Sequence, residues 1–137
     1  MPEEAPPGRV YHERVGHVLR IVIDNVTRRN SFIPEMSLQL SEALTLLDSD
    51  PDLRAGVLCA EGDHFTAGLD MPKFFGPGAT PVAIPEGNVD AFQINRVCRK
   101  PIVVAVQGIC YTIGIEMALA CDIIIAAADV RFCQMEA

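Results

Sequence analysis

Two short segments of this chain could do chemistry with their backbones. Phe65-Thr66-Ala67-Gly68-Leu69-Asp70 follows a strand-like run, and the segment 108–116 (GICYTIGIE) opens a short apolar helix. N–H groups at such turns lack a strand or helix partner and can point at an anion or a polarised carbonyl. Two turns converging on one point would make an oxyanion hole from main-chain donors alone. Taken singly, each is also a common connector. Two carboxylates stand near the second turn. Glu116 lies in the first turn of the short helix, and Glu136 follows twenty positions later, after a strand. The helix runs away from the turn and the strand must run back, so the two carboxylates could face one another across a pocket. A pair holding a water between them can do general acid–base work. On spacing alone the simpler placements are favoured: a negative charge welcomed at a helix N-terminus for Glu116, and a solvated segment for Glu136.

The elements that must position these residues follow from hydrophobic period and turn chemistry. Val10–Val15 and Val18–Asp24 flank Gly16-His17 and read as a hairpin, with Leu19, Ile21 and Ile23 on one face. Ser31 can cap a helix that tolerates Pro34 in its first turn and runs to about Leu47. Met36, Leu40, Ala43, Leu44 and Leu47 form its buried stripe. Ala55–Ala60 reads as a strand. Residues 72–88, with four Pro and three Gly, read as a loop. A helix is expected over Val89–Arg99, a buried strand over Ile102–Val106, a bend over Gly108–Thr112, a short helix over Gly114–Ala120, and strands over Asp122–Ala127 and Val130–Cys133. Alternating strands and helices after a hairpin predict an α/β layer with a largely parallel sheet.

Composition narrows the function. The 137 residues are half apolar and 21% charged, which excludes intrinsic disorder. Eleven basic and eighteen acidic residues give a net charge of −7, a poor match to nucleic acid or an anionic membrane surface. Five Cys without a CxxC spacing read as free thiols in a reducing compartment. His12, His17 and His64 show no metal-ligand spacing, so no metal site is expected, though His64 adjoins the first turn. No GxGxxG, Walker, GxSxG or HExxH motif occurs. The N-terminal residues do not read as a signal peptide, and no apolar run reaches a membrane span, so a cytoplasmic protein is expected.

Several ordered motifs resemble the enoyl-CoA hydratase/isomerase (crotonase) superfamily. They are IDNVTRRNSFIPEM at 23–36, HFTAGLDM at 64–71, KPIVVAVQGICYTIGIEMALACDIIIAA at 100–127 and RFCQMEA at 131–137. The resemblance implies an α/β spiral of ββα units over residues 10–137, preceded by a flexible leader, 1–9. It implies an acyl-CoA thioester ligand, with coenzyme A as part of the substrate and no separate cofactor. Its oxyanion hole falls on the backbone N–H groups of Leu69 and Ile113, its two hydratase glutamates on Glu116 and Glu136, and CoA contacts on Arg28, Arg29, Ala67 and Asp70. Glu116 would help activate water and Glu136 would exchange the α-carbon proton. Isomerase or other enolate chemistry, or non-catalytic acyl-CoA binding, are the alternative readings. Where the family has a Gly triplet, this chain has Thr112-Ile113-Gly114, and its Gln-Pro-Glu is Gln134-Met135-Glu136. Family chains continue beyond this point into a C-terminal helical region that packs in trimers. An incomplete core and a homo-oligomeric protein, a trimer or dimer of trimers, are therefore expected, and a polypeptide ending at Ala137 is expected to be inactive as a hydratase and aggregation-prone or dependent on a partner.

Overall fold

The computed structural model describes residues 3–134. The hairpin forms as the pattern requires: β1 (Arg9–Val15) pairs antiparallel with β2 (Val18–Asp24). Three parallel strands then add to β2: β3 (Ala55–Ala60), β4 (Ile102–Val106) and β6 (Ile123–Ala126), in the order β1-β2-β3-β4-β6. A second ladder is made of short pieces. Phe32 bridges Leu69, Thr66 bridges Cys110, and β5 (Ile109–Tyr111) pairs in parallel with β7 (Arg131–Cys133). Each pass of the chain thus places one strand in the large sheet and one short piece in the ladder. The passes through β2, β3 and β4 each end in a helix: α1 (Pro34–Ser49), α2 (Met71–Phe75) and α3 (Ile113–Leu119). That is the ββα spiral.

Leu19, Ile21 and Ile23 are fully buried, and the α1 stripe of Met36, Leu40, Ala43, Leu44 and Leu47 is buried with them. At ~1.5–3 kcal/mol for each large apolar side chain buried, this contact is the main force holding α1 to the sheet. The far edge is different: Ile123, Ile124 and Ile125 of β6 and Phe132 of β7 are exposed.

Four local expectations are corrected. The bend expected over Gly108–Thr112 contains β5, because Ile109–Tyr111 pairs with β7. Ser31 does not cap α1. Its N–H bonds the Arg28 carbonyl, its carbonyl accepts from Asn25 Nδ2, and the chain stays extended through Phe32 so that Ile33 becomes the N-cap, without a side-chain cap. The loop expected over 72–88 begins inside α2. No helix forms over Val89–Arg99. The Asp90 carboxylate instead accepts the N–H groups of Phe92, Ile94, Asn95 and Arg96 at 2.7–3.2 Å, and Gln93 adopts φ 52°. An Asp side chain that collects backbone donors in this way competes directly with the helical ladder.

Candidate active site

The two turns are fastened together. Tyr111 N–H donates to the Thr66 carbonyl at 3.1 Å, and Thr66 N–H to the Ile109 carbonyl at 3.2 Å. Ile109 N–H donates to His64 Nδ1 at 3.1 Å, which gives His64 its structural role. On its other side the first turn is tied to residues 29–32. Ala67 N–H donates to the Arg29 carbonyl, Phe32 N–H to the Gly68 carbonyl, and Asp70 N–H to the Phe32 carbonyl, all within 3.0 Å. The buried Thr66 hydroxyl donates to the Asn30 carbonyl at 2.6 Å and accepts the Gly68 N–H at 3.1 Å. Asn30, also buried, spans from this knot to the carbonyls of Glu61 and His64.

These bonds press the turns into contact. A Cβ on Gly68 would stand 2.6 Å from Thr112 Oγ1, and Gly68 itself has φ 106°. A Cβ on Gly114 would stand 2.6 Å from Thr66 Cγ2 and 3.1 Å from Cys110 Sγ. Of the Thr112-Ile113-Gly114 triplet, the position where glycine is needed for close approach keeps it. The positive φ falls on Thr112 (φ 48°, ψ −105°) and not on Ile113, the first residue of α3. Ile therefore meets no backbone penalty at 113; the strained residue is the β-branched Thr112.

Each turn leaves a donor free. Among the described residues, neither Leu69 N–H nor Ile113 N–H has an acceptor. Leu69 follows Gly68 directly and Ile113 follows Thr112 directly, so the free donors flank the point where the turns touch. Glu116 is half-buried and lies three residues into α3, and its side chain forms no hydrogen bond or ion pair among the described residues. Helical side chains lean toward the N-terminus, a tendency that favours placing its carboxylate toward the start of α3. β7 returns beside β5, and its Cys133 carbonyl accepts the Thr112 N–H at 2.9 Å. Glu136 lies outside the described residues.

The residues expected to touch CoA divide. Arg28 stands 3.9 Å from Asp70, joining the two segments, and its side chain is mostly exposed. It lines a cavity of 700 Å³ together with Thr27, Ile33, Lys73 and residues 6–8. Arg29 and Ala67 do not line this cavity; they bond one another through the backbone, with Arg29 at φ 53°. Lys73 was missed by sequence reasoning. The available signal was its place three residues after Asp70, about one helical turn along. Burial raises the Cys110 thiol to about 11 and the Cys121 thiol to about 12, which disfavours their thiolate forms at neutral pH. Among the described residues, no group of three His, Cys, Asp or Glu could hold a metal ion, and no helix is long and apolar enough to cross a membrane.

Comparisons with known proteins agree with this geometry. The chain superposes on the crystal structure of a probable enoyl-CoA hydratase/isomerase from Mycobacterium abscessus with a TM-score of 0.81 and 40% identity, covering 90% of this chain and 48% of that one. It is 34% identical over 125 residues to a mevalonyl-coenzyme A hydratase of Beauveria bassiana, covering 85% of this chain and 45% of that protein. It is 27% identical over 132 residues to the human mitochondrial Delta(3,5)-Delta(2,4)-dienoyl-CoA isomerase, covering 85% and 39%. The chain spans about half the length of the curated relatives it matches. Residues 13–137 match the family described as Enoyl-CoA hydratase/isomerase, and with nearly the whole chain so accounted for, this protein belongs to that family.

Proposed function

We propose that the protein to which this chain belongs adds water across the double bond of a 2-enoyl-CoA thioester. The observation that carries this reading is the contact between the Gly68 and Thr112 turns, with an unpartnered N–H just beyond each. The thioester carbonyl oxygen accepts from Leu69 N–H and Ile113 N–H. As the water oxygen bonds to the β-carbon, the π electrons shift toward that carbonyl and the oxygen gains enolate charge. Fixed donors favour this charged state over the neutral substrate, and each such donor is worth ~100–1000-fold in related acyl chemistry. Glu116 takes the proton from the attacking water. Glu136, protonated at the start, delivers a proton to the α-carbon as the enolate collapses. The proton taken up by Glu116 then passes to Glu136 through solvent, so one water is consumed and both groups return to their starting protonation states.

Coenzyme A enters as part of the substrate, and no other cofactor is required. Arg28 and Lys73 share one cavity and attract its phosphates, and Arg29 adds to the local positive charge. Ala67 and Asp70, tied to Arg29 and Arg28 respectively, are assigned to the CoA path by resemblance to the family. The working form we propose is a cytoplasmic homo-oligomer, a trimer or dimer of trimers, by resemblance to the family.

The test is loss of the conjugated enoyl-thioester absorbance when the complete protein meets crotonyl-CoA. Glu116→Gln is expected to slow hydration ~100–10,000-fold, the range for a general acid or base, while leaving CoA affinity nearly intact. Glu136→Gln should behave alike, and the double variant should be little worse than the worse single, because the two act as a unit. Wild-type hydration in Glu116→Gln would remove Glu116 from the water-activating role, whereas conversion of a 3-enoyl-CoA to the conjugated 2-enoyl thioester without hydration would favour double-bond isomerisation, the class in the human relative's name.

A further inference from the structure

One face of α1 carries hydroxyls at one-turn spacing: Ser37, Ser41 and Thr45. Two of the three are satisfied by the segment packed against them. Ser41 Oγ donates to the Val89 carbonyl at 2.5 Å. Thr45 Oγ1 donates to the Ser41 carbonyl at 2.7 Å and accepts the Val89 N–H at 2.9 Å. Ser37 differs. The residue is 8% exposed, and its hydroxyl is the one buried side-chain polar atom without a hydrogen-bond partner among the described residues. Buried hydroxyls are normally paired, and an unpaired one is a net cost to the fold that calls for an explanation.

Ser37 lines a cavity of 340 Å³ walled by Pro34, Phe74, Val82, Ile84 and Phe92. The other polar side chain in its wall is Asp90, and both Asp90 oxygens are occupied by the four backbone N–H groups of its own turn. The cavity therefore offers an apolar space with one uncommitted hydroxyl. Its walls connect to the first turn of the candidate active site by two routes. Phe92 packs on Phe32 with ring centroids 6.4 Å apart, and Phe32 is bridged to Leu69. Phe74 lies on α2, whose N-cap Asp70 follows Leu69.

We propose that this cavity receives the outer part of the acyl chain and that the Ser37 hydroxyl hydrogen-bonds a neutral oxygen carried there. Ser37 is then a specificity-determining residue for acyl groups with a hydroxyl or oxo substituent beyond the reacting carbons. A carboxylate is disfavoured, because the wall holds the Asp90 charge and no cation. The inference rests on the acyl-CoA reading above and adds the class of acyl group to it.

The experiment measures affinity of the complete protein, by calorimetry, for a ladder of saturated straight-chain acyl-CoA thioesters and their terminally hydroxylated counterparts. At one chain length the hydroxylated ligand should bind about two- to tenfold more tightly than its parent, the range for one neutral hydrogen bond. Ser37→Ala should abolish that ratio while leaving the unsubstituted ligand within about twofold, and Ser37→Thr should retain it. A merely structural role would change thermal stability without changing the ratio. If the unsubstituted ligands bind but no length shows a preference, or if Ser37→Ala keeps it, the Ser37 assignment is overturned and the acyl-CoA reading stands. If neither CoA nor any thioester binds, both fall.

Discussion

Gly68→Ala drives a wedge between the two turns. The added methyl carbon would stand 2.6 Å from Thr112 Oγ1, and the next atoms, Thr112 Cβ and the Tyr111 carbonyl oxygen, lie at 3.9 Å. The clash is therefore with one atom. The backbone adds a second cost, since φ 106° suits glycine and strains alanine by ~1–3 kcal/mol. Overpacking of this kind costs a further ~1–3 kcal/mol. The sum, about 2–6 kcal/mol, is a large part of the ~5–15 kcal/mol that holds a domain folded. Thr112→Ala removes Oγ1 and relieves the clash but not the strain. Denaturant unfolding of the four proteins in the cycle should thus give a favourable coupling of ~1–3 kcal/mol between the two sites. Crotonyl-CoA turnover should follow the geometry. Misplacing catalytic donors by about 1 Å costs on the order of 100-fold, and the double variant should recover part of that loss. A Gly68→Ala protein with unchanged stability and turnover, or a Thr112→Ala change that restores nothing, would refute the claim that these turns touch and act together.

Two further perturbations test the supports of the site. Arg28→Ala with Lys73→Ala should weaken CoA binding at low ionic strength and flatten its salt dependence, because exposed cations act on phosphates through a screened field. Unchanged affinity at low salt would remove these residues from the CoA path. Asp90→Asn should destabilise the 89–98 segment by about 1–2 kcal/mol at neutral pH, since an amide NH₂ cannot accept the N–H groups of Asn95 and Arg96. Burial alone would raise the Asp90 carboxyl, but the N–H groups of Asn95, Ile94, Arg96 and Phe92 outweigh it and hold the group below the usual carboxylate range. A depressed folded value means the contribution is complete above the unfolded carboxylate range and lost as pH falls through the folded one. The stability gap between wild type and Asp90→Asn should therefore close in acid, and a gap that persists there would show that the carboxylate charge is not its source.

The parts of the fold governed by side-chain period were legible in the sequence. The Leu19, Ile21 and Ile23 face of the hairpin, the stripe of α1 and the β-branched strand β4 bury what their spacing says they should, whereas Ile123, Ile124 and Ile125 of β6 stay exposed. The ββα spiral came from resemblance, and the short ladder pieces at Phe32 and Thr66 show why. Single bridges leave no periodic trace. The 89–99 segment misled because its apolar residues suit a helix, while one carboxylate, Asp90, takes the donors a helix would use. At the second turn, the missing glycines drew attention to Ile113, but only the backbone shows that Thr112 carries the positive φ. Lys73 and Arg28 line one cavity although 45 positions separate them, and only the place of Lys73 one turn after Asp70 points to it. The out-and-back path was correctly inferred as far as Cys133, which bonds to Thr112; Glu136 lies beyond the described residues.

The central claim is that Leu69 and Ile113 hold a thioester oxygen between them. The most direct measurement is a crystal structure of the complete protein with a saturated acyl-CoA bound. The account predicts the thioester oxygen at ~2.7–3.1 Å from both backbone nitrogens, with the β-carbon, where water adds, on the Glu116 side. A thioester oxygen bound elsewhere, with either N–H facing solvent or another acceptor, would contradict it.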